Sequence, residues 1–451
     1  MTLNRPLGVP IAGSTMPWSE VHVRRLFWRA GFGATPAEAT RWAHAGQDAT
    51  IKYLLNGPRG LAAQPAPMHL DPLNEWSHRS LWWLDRMVRT QRPLEEKLTL
   101  FWHDHFATAD QDTPLMLAQN RMLRARSMGS FRKLLGGVAR DPAMQLFLSL
   151  ANSTKDAPNE NFARELMELF TLGGGYTERD IREAARALTG YRSEWKDGTF
   201  KRIWFDASAH DRGVKRIFGR RGRFGTDGLL DLVVAHPRHA PFLVRKLWSF
   251  FVTEQPSAST VRWLARVYRS SGHRIAPVVD RILRQPALYA RLDAADMVKC
   301  PLVYVAGTLR TAGVGVTIDD YSWLLSTMGQ QPFSPPSVAG WDWGTAWLTS
   351  QTVRAGVSLA NAMIAWDGAP MPVADASGDA GLAPEAQVER ALDALGRPWV
   401  SDATRGVLTQ VARDFFSDIK PTNTKARQQR ADMLQRLLRN LLISGPDAHL
   451  H

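Results

Sequence analysis

The sequence predicts an all-α protein: a large multi-helix domain with one small β-hairpin and a tethered C-terminal helical element. Three observations predict it. Apolar residues recur at helical spacing along most of the 451 residues. Ser, Thr and Pro stand where those runs begin, and Gly stands where they stop. A single stretch, "YRSEWKDGTFKRIWF", sets strand-type residues around an Asp-Gly turn.

Residues 1–17 carry no helical period and form an N-terminal arm. They lack a basic segment followed by a continuous apolar one, so they predict no export signal and a cytoplasmic chain. The main helical domain is expected over residues 18–366. In "SEVHVRRLFWRAGFG", Ser19 is the N-cap and Gly31 the stop. "TPAEATRWAHAG" places Pro36 at the first helical position and Gly46 past the end. "LNEWSHRSLWWLDRMVRT" and "PLEEKLTLFWHDHFA" follow as amphipathic helices. "NRMLRARSM", "SFRKLLGGVA", "PAMQLFLSLA" and "NENFARELMELFTLG" continue the pattern. In "YTERDIREAARALTGY", Thr177 and Asp180 form a capping pair and Gly190 closes the helix.

Beyond the hairpin, "DGLLDLVVAH", "APFLVRKLWSFFV", "STVRWLARVYRSS", "APVVDRILRQPALYA" and "PLVYVAGTLRTAG" return to helical period, for about fifteen helices in all. The loop "GQQPFSPPSVAGWDWGTAW" carries Trp341, Trp343 and Trp347. These rings are either a platform for a sugar or extended peptide or the loop's own packing onto the core. Residues 367–386, "DGAPMPVADASGDAGLAPEA", are too poor in large apolar residues to offset ordering entropy and predict a flexible linker. Residues 387–451 hold the C-terminal element, with helices expected near Gln387–Leu395 and Lys425–Ser444.

The formal charge is +13, denser over Lys201–Lys246 and Lys420–Arg439, with no run of five or six consecutive basic residues. Such dispersion favours a basic soluble protein over a nucleic-acid binder. One cysteine, Cys300, excludes an internal disulfide, and its apolar neighbours predict a buried small hydrophobe. No window of about 18 apolar residues exists, so no transmembrane segment is expected.

The blocks "RLFWRAGFGATPAEATRWA", "KLTLFWHDHFAT", "NENFARELMELFTLG", "HDRGVKRIFG", "HPRHAPFLVRKLWSFF" and "PFSPPSVAGWDWGTAWL" together resemble the bacterial family called domain of unknown function 1800. The likeness spans nearly the whole chain. It implies a helical protein, often exported, and often encoded beside a phosphatase- or sulfatase-like protein, which is then a candidate partner. Many members carry His where Phe170 stands here.

Ionisable residues on apolar faces mark the candidate site. Leu94, Leu98, Phe101 and His105 share one helical stripe, so His105 points inward. His103 lies about 200° further round, so an intact helix cannot bring both histidines to one ion. Glu165 and Glu168, three apart beside Asn161, have the spacing of helical metal carboxylates and equally of a solvated face. His210 and Asp211 follow the hairpin in a loop, with Lys215 near.

One expectation unites these groups. His103, His105, Glu165, Glu168 and His210 would hold a divalent Zn, Fe or Mn ion. Glu165, His210 and Asp211 would carry catalysis, and Asn161 and Lys215 would support them. A non-catalytic assembly partner and a nucleic-acid binder are the rival readings. No His-Glu-x-x-His, Gly-x-Ser-x-Gly, phosphate-loop or dinucleotide motif is present.

Overall fold

The computed structural model describes residues 17–109, 112–364, 381–417 and 423–451. The N-terminal arm up to residue 16 and the linker over 367–380 lie outside the described residues. The expected all-α architecture is what forms. Helices α1 (Glu20–Arg29), α2 (Pro36–Ala45) and α3 (Gln47–Asn56) lead to α4 (His78–Arg89) and α5 (Pro93–His105). Next come α6 (Thr113–Arg126), α7 (Phe131–Val138), α8 (Pro142–Phe147) and α9 (Asn161–Glu165). A π-helical turn (Leu166–Leu172) continues α9, and α10 (Glu178–Ala187) follows.

The Asp-Gly hairpin forms as expected, with β1 (Tyr191–Lys196) antiparallel to β2 (Thr199–Phe205). Asp197 and Gly198 both take positive φ, 52° and 71°, as a primed two-residue turn demands. A second, unexpected hairpin follows, β3 (Lys215–Ile217) with β4 (Arg220–Gly222). Its turn puts Phe218 at φ 49°, and the Phe218 amide donates to Asp180 Oδ1 at 2.7 Å. Asp180 is also the capping partner of Thr177, as expected, so one carboxylate ties the start of α10 to this turn.

The chain then runs through α11 (Thr226–Ala235), α12 (His239–Phe251), α13 (Ala258–Ser270), α14 (Ile275–Leu283), α15 (Pro301–Ala312), α16 (Asp320–Thr327) and α17 (Ser350–Met363). It ends in α18 (Pro384–Ala394), α19 (Asp402–Ser417) and α20 (Thr424–Ser444). Helix α19 carries no sequence expectation, and α18 begins inside the expected linker. Among the described residues no helix is long and apolar enough to cross a membrane.

Two hydrophobic cores meet along α1 and α5. Val23, Leu26, Leu94 and Leu98 belong to the first, with the helices from α7 to α14. Trp28 and Leu100 belong to the second, with α4, α15 and α17. The C-terminal helices are built into this second core through Val388, Leu392, Leu434 and Leu438. Tyr304 Oη donates to the Ile443 carbonyl at 2.7 Å, and Gln435 Nε2 to Gln387 Oε1 at 2.8 Å. The expected tethered element is therefore an integral layer, because its apolar stripes need the α15 and α17 surface to leave water.

Candidate functional site

Helix α5 ends at the seam between the cores in His103-Asp104-His105, and the three side chains go three ways. His103 is 1% exposed, edge-on to Trp83 at 5.0 Å. Its Nε2 accepts from the Phe333 amide at 3.1 Å, and burial pushes its pKa down to about 3. Asp104 Oδ1 accepts from the Trp341 amide at 2.8 Å, and Oδ2 from Trp343 Nε1 at 2.9 Å. Burial pushes this carboxyl up to about 6 against the pull of those bonds. Gly340 makes the clamp feasible: φ is +86°, and an added Cβ would sit 2.4 Å from Asp104 Oδ1. Trp341 and Trp347 are buried by their own loop, while Trp343 remains 39% exposed.

His105 Nε2–H donates to the Phe170 carbonyl at 2.9 Å, which leaves Nδ1 to accept from Lys246 Nζ at 3.3 Å. Burial, and then the Lys246 charge, hold its pKa well below the ordinary value. The Asn-Glu-Asn block explains the Phe170 carbonyl. A helix leaves its last carbonyls without internal partners. Here Leu169, Phe170 and Thr171 present theirs to Lys246 (3.3 Å), His105 and His239 (3.1 Å). The π-helical widening over Leu166–Leu172 sets their direction, and Gly173 at φ +64° ends the helix. His239 Nε2 meets Tyr268 Oη at 2.9 Å, and burial lowers its pKa to about 4.

The remaining expected residues lie in separate settings. Glu165 is half-buried and Glu168 exposed. Burial, then the charge of Glu168, raise the Glu165 carboxyl. The Asn161 amide donates to Asn159 Oδ1 at 2.9 Å. His210 Nδ1–H donates to the Thr189 carbonyl at 2.8 Å. Asp211 pairs with Arg186 at 2.7 Å and caps the Gly213 amide at 2.7 Å. Lys215 Nζ donates to the Asp211 carbonyl at 2.5 Å and the Gly213 carbonyl at 3.1 Å.

Among the described residues no hydrogen bond or ion pair joins any two of His103, His105, Glu165, Glu168, His210 and Asp211; the three histidines and Asp211 are bonded to neighbours of their own. Among the described residues no three His, Cys, Asp or Glu side chains are placed to hold a metal ion. Lys215 supports its local turn, and it is the Asn159 side chain that caps the Asn161 backbone amide.

What α5 does line is a cleft of about 640 Å³ between α1, α12, the Trp loop and the segment before α15. Five basic residues face it, Arg29, Lys97, Arg245, Lys246 and Lys299, with two acids, Asp104 and Asp296. Phe101, Phe250, Trp341 and Trp343 supply apolar walls. The acids are already engaged: Asp104 by the two tryptophans, Asp296 by Arg25 and Arg29. Arg29, 2% exposed, is pushed down to about 9 by burial.

Among the described residues neither Lys97 nor Lys299 is ion-paired to a carboxylate, whereas the Asp104 charge acts on Lys246. Lys97 Nζ donates to the Trp28 carbonyl at 3.2 Å and lies 5.5 Å from the Phe32 ring centre. Lys299 Nζ donates to the Ala448 carbonyl at 2.7 Å and lies 4.0 Å from the Trp28 ring centre. Burial pushes both amines down to about 7, and the Lys97 charge adds to the effect at Lys299. Burial lowers Lys246 as well. Cys300, 1% exposed, sits beside this cluster with its thiol raised by burial, as a buried small residue should.

The sequence held one signal for Lys97 that went unused. It precedes Phe101 by four residues and His105 by eight, and so lies on the stripe that pointed His105 inward. A lysine on an apolar stripe is a buried charge in need of a reason. Arg29, Lys246 and Lys299 join it only through tertiary packing.

A family model described as "Protein of unknown function (DUF1800)" matches residues 25–449. No curated protein and no solved structure matches the chain.

Proposed function

We propose that this chain, which belongs to the DUF1800 family, is an enzyme that binds a small organic anion in the lysine cleft, with Lys97 as its reactive amine. The observation that carries this reading is the pair of buried lysines, Lys97 and Lys299, on one cleft, neither ion-paired to a carboxylate among the described residues. Burying an ammonium without a counter-charge costs several kcal/mol. A carboxylate, phosphate or sulfate ester would recover that cost, and the aromatic walls suit an apolar body beside the charged group.

An amine with a pKa near 7 is partly unprotonated at neutral pH. It can accept a proton from a bound substrate or attack a carbonyl, as desolvated catalytic lysines do. Lys299 and Arg29 then serve as the anion's hydrogen-bond donors. Asp104 acts indirectly, since its two bonds fix the Trp loop that roofs the cleft. His105 holds Lys246 in place from a fixed tautomer.

The test is a titration at low ionic strength with phosphate, sulfate and a set of aromatic carboxylates and phosphate esters. Heat of binding or a rise in Tm is read against equal sodium chloride. Lys299→Met should weaken binding about tenfold or more, in line with the loss of one charged hydrogen bond. If no anion outperforms chloride, or Lys299→Met binds as well as the parent, the reading is wrong.

A further inference from the structure

We propose a second ligand cleft, beside the Asp-Gly hairpin, that binds a neutral saccharide. The cleft encloses about 550 Å³ between β1–β2, the segment leading into α11, and α8. It shares no lining residue with the lysine cleft, so the two proposals stand or fall separately.

Its chemistry differs from that of the lysine cleft in three respects. The first is exposed aromatic surface. Trp204 is 40% and Phe205 50% exposed, on a short two-stranded ribbon that gains nothing in water from either ring. Arg202 lies 5.3 Å from the Trp204 ring centre, and the ring keeps its 40% exposure beside that guanidinium. Phe205 is fixed by Tyr191 and His210, with ring centres 5.6 and 5.5 Å away.

The second is unused hydrogen-bonding capacity at one buried and one half-buried position. Gln145 lines the cleft and is fully buried, with Nε2 committed to the Ala139 carbonyl at 2.8 Å and Oε1 without a partner. A buried acceptor left unsatisfied costs about 1–3 kcal/mol, so such an atom is commonly completed by something the cleft admits. His210 adds another acceptor. Its Nδ1–H is spent on the Thr189 carbonyl, so Nε2 carries the lone pair. Gly225 keeps space open beside it, since even an added Cβ would stand 3.7 Å from Nε2.

The third is charge balance. Arg140 and Asp227 both line the cleft and neutralise each other at 2.7 Å. Asp227 also pairs with Arg132 at 3.0 Å. An ionic ligand would have to break these pairs. A sugar ring needs none of that: its C–H face stacks on indole or phenyl, and its hydroxyls donate to the two waiting acceptors.

The experiment is affinity electrophoresis and tryptophan fluorescence titration of the full chain with hexamers of glucose (α- and β-linked) and of N-acetylglucosamine, and with a sulfated oligosaccharide. One neutral hexamer should bind and shift the emission. Trp204→Ala, at an exposed position that leaves the fold intact, should lose about tenfold or more in affinity. His210→Ala should also bind more weakly, while the anion response of the lysine cleft stays unchanged in both variants. The proposal is overturned if no neutral hexamer binds, if the sulfated probe binds better than the neutral ones, or if Trp204→Ala binds like the parent.

Discussion

Replacing Lys97 by Met should make the protein more stable. Met keeps the volume of the side-chain stem and removes the amine. The fall in the Lys97 pKa from 10.5 to about 7 is equivalent to roughly 4–5 kcal/mol of unfavourable burial of the charged form. The sign follows from proton counting. Between pH 7 and 10.5 the unfolded chain holds the Lys97 proton and the folded one releases it. Stability therefore rises with pH across that window, and the full penalty applies below pH 7. The substitution also strands the Trp28 carbonyl, which offsets roughly 1–2 kcal/mol.

The net expectation is a gain of about 3 kcal/mol at pH 6–7, shrinking toward pH 10. For a chain of this length that is about 3 °C in Tm. Calorimetry or urea unfolding from pH 6 to 10, in buffers free of sulfate and phosphate, measures it. With an anion at 100 times its Kd the parent should gain about 2.7 kcal/mol and the variant much less. A variant less stable than the parent by the same amount at every pH would show that the Lys97 charge is not a burden. An anion in the cleft would then have no unbalanced charge to answer.

Four further outcomes are expected. Acidification from pH 6.5 toward 4 should destabilise the fold, because His103 and His239 are buried neutral, at about 3 and about 4, and the unfolded chain takes up protons there first; His239→Gln should flatten that slope in acid unfolding curves, and an unchanged slope would contradict the assignment. Asp104→Asn keeps an acceptor for the Trp341 amide but cannot accept from Trp343 Nε1; Trp343 emission should shift to the red at a cost of about 1 kcal/mol. Gly340→Ala should be harsher, since its positive φ and the Asp104 contact oppose any Cβ, and equal Tm values would refute the clamp. Chelator treatment should leave Tm unchanged and Glu165→Ala should release no metal on elemental analysis; a stoichiometric ion lost with Glu165 would revive the metal site.

The readable parts of this protein were those set by local rules. Helical period and caps located most helices, and Asp197-Gly198 located the first hairpin. Where local signals were weak, the reading failed. Phe218-Gly219 makes the second turn only because Asp180 reaches across to hold the Phe218 amide. Helix α19 lay in a stretch that was read only at its two ends. The π-helical widening over Leu166–Leu172 was invisible, since apolar spacing over seven residues does not separate one helical winding from the other.

The histidine pair shows why sites are harder to read than folds. Spacing on α5 settled that His103 and His105 diverge, and they do. It could not say what each would meet, because the partners are Phe333, 230 residues away, and Phe170 and Lys246, 65 and 141 away. His103, His105, His210 and Asp211 each proved to be bonded to a neighbour, and Glu168 lies at the surface. A buried polar group that has found its partner is accounted for by folding alone. A buried charge that has not is carried by the fold at a cost, and that cost persists only if binding returns it. By this criterion the informative residue in "EEKLTLFWHDH" is neither histidine nor the aspartate between them. It is Lys97, two turns earlier on the same stripe, whose one hydrogen-bond acceptor among the described residues is the Trp28 carbonyl.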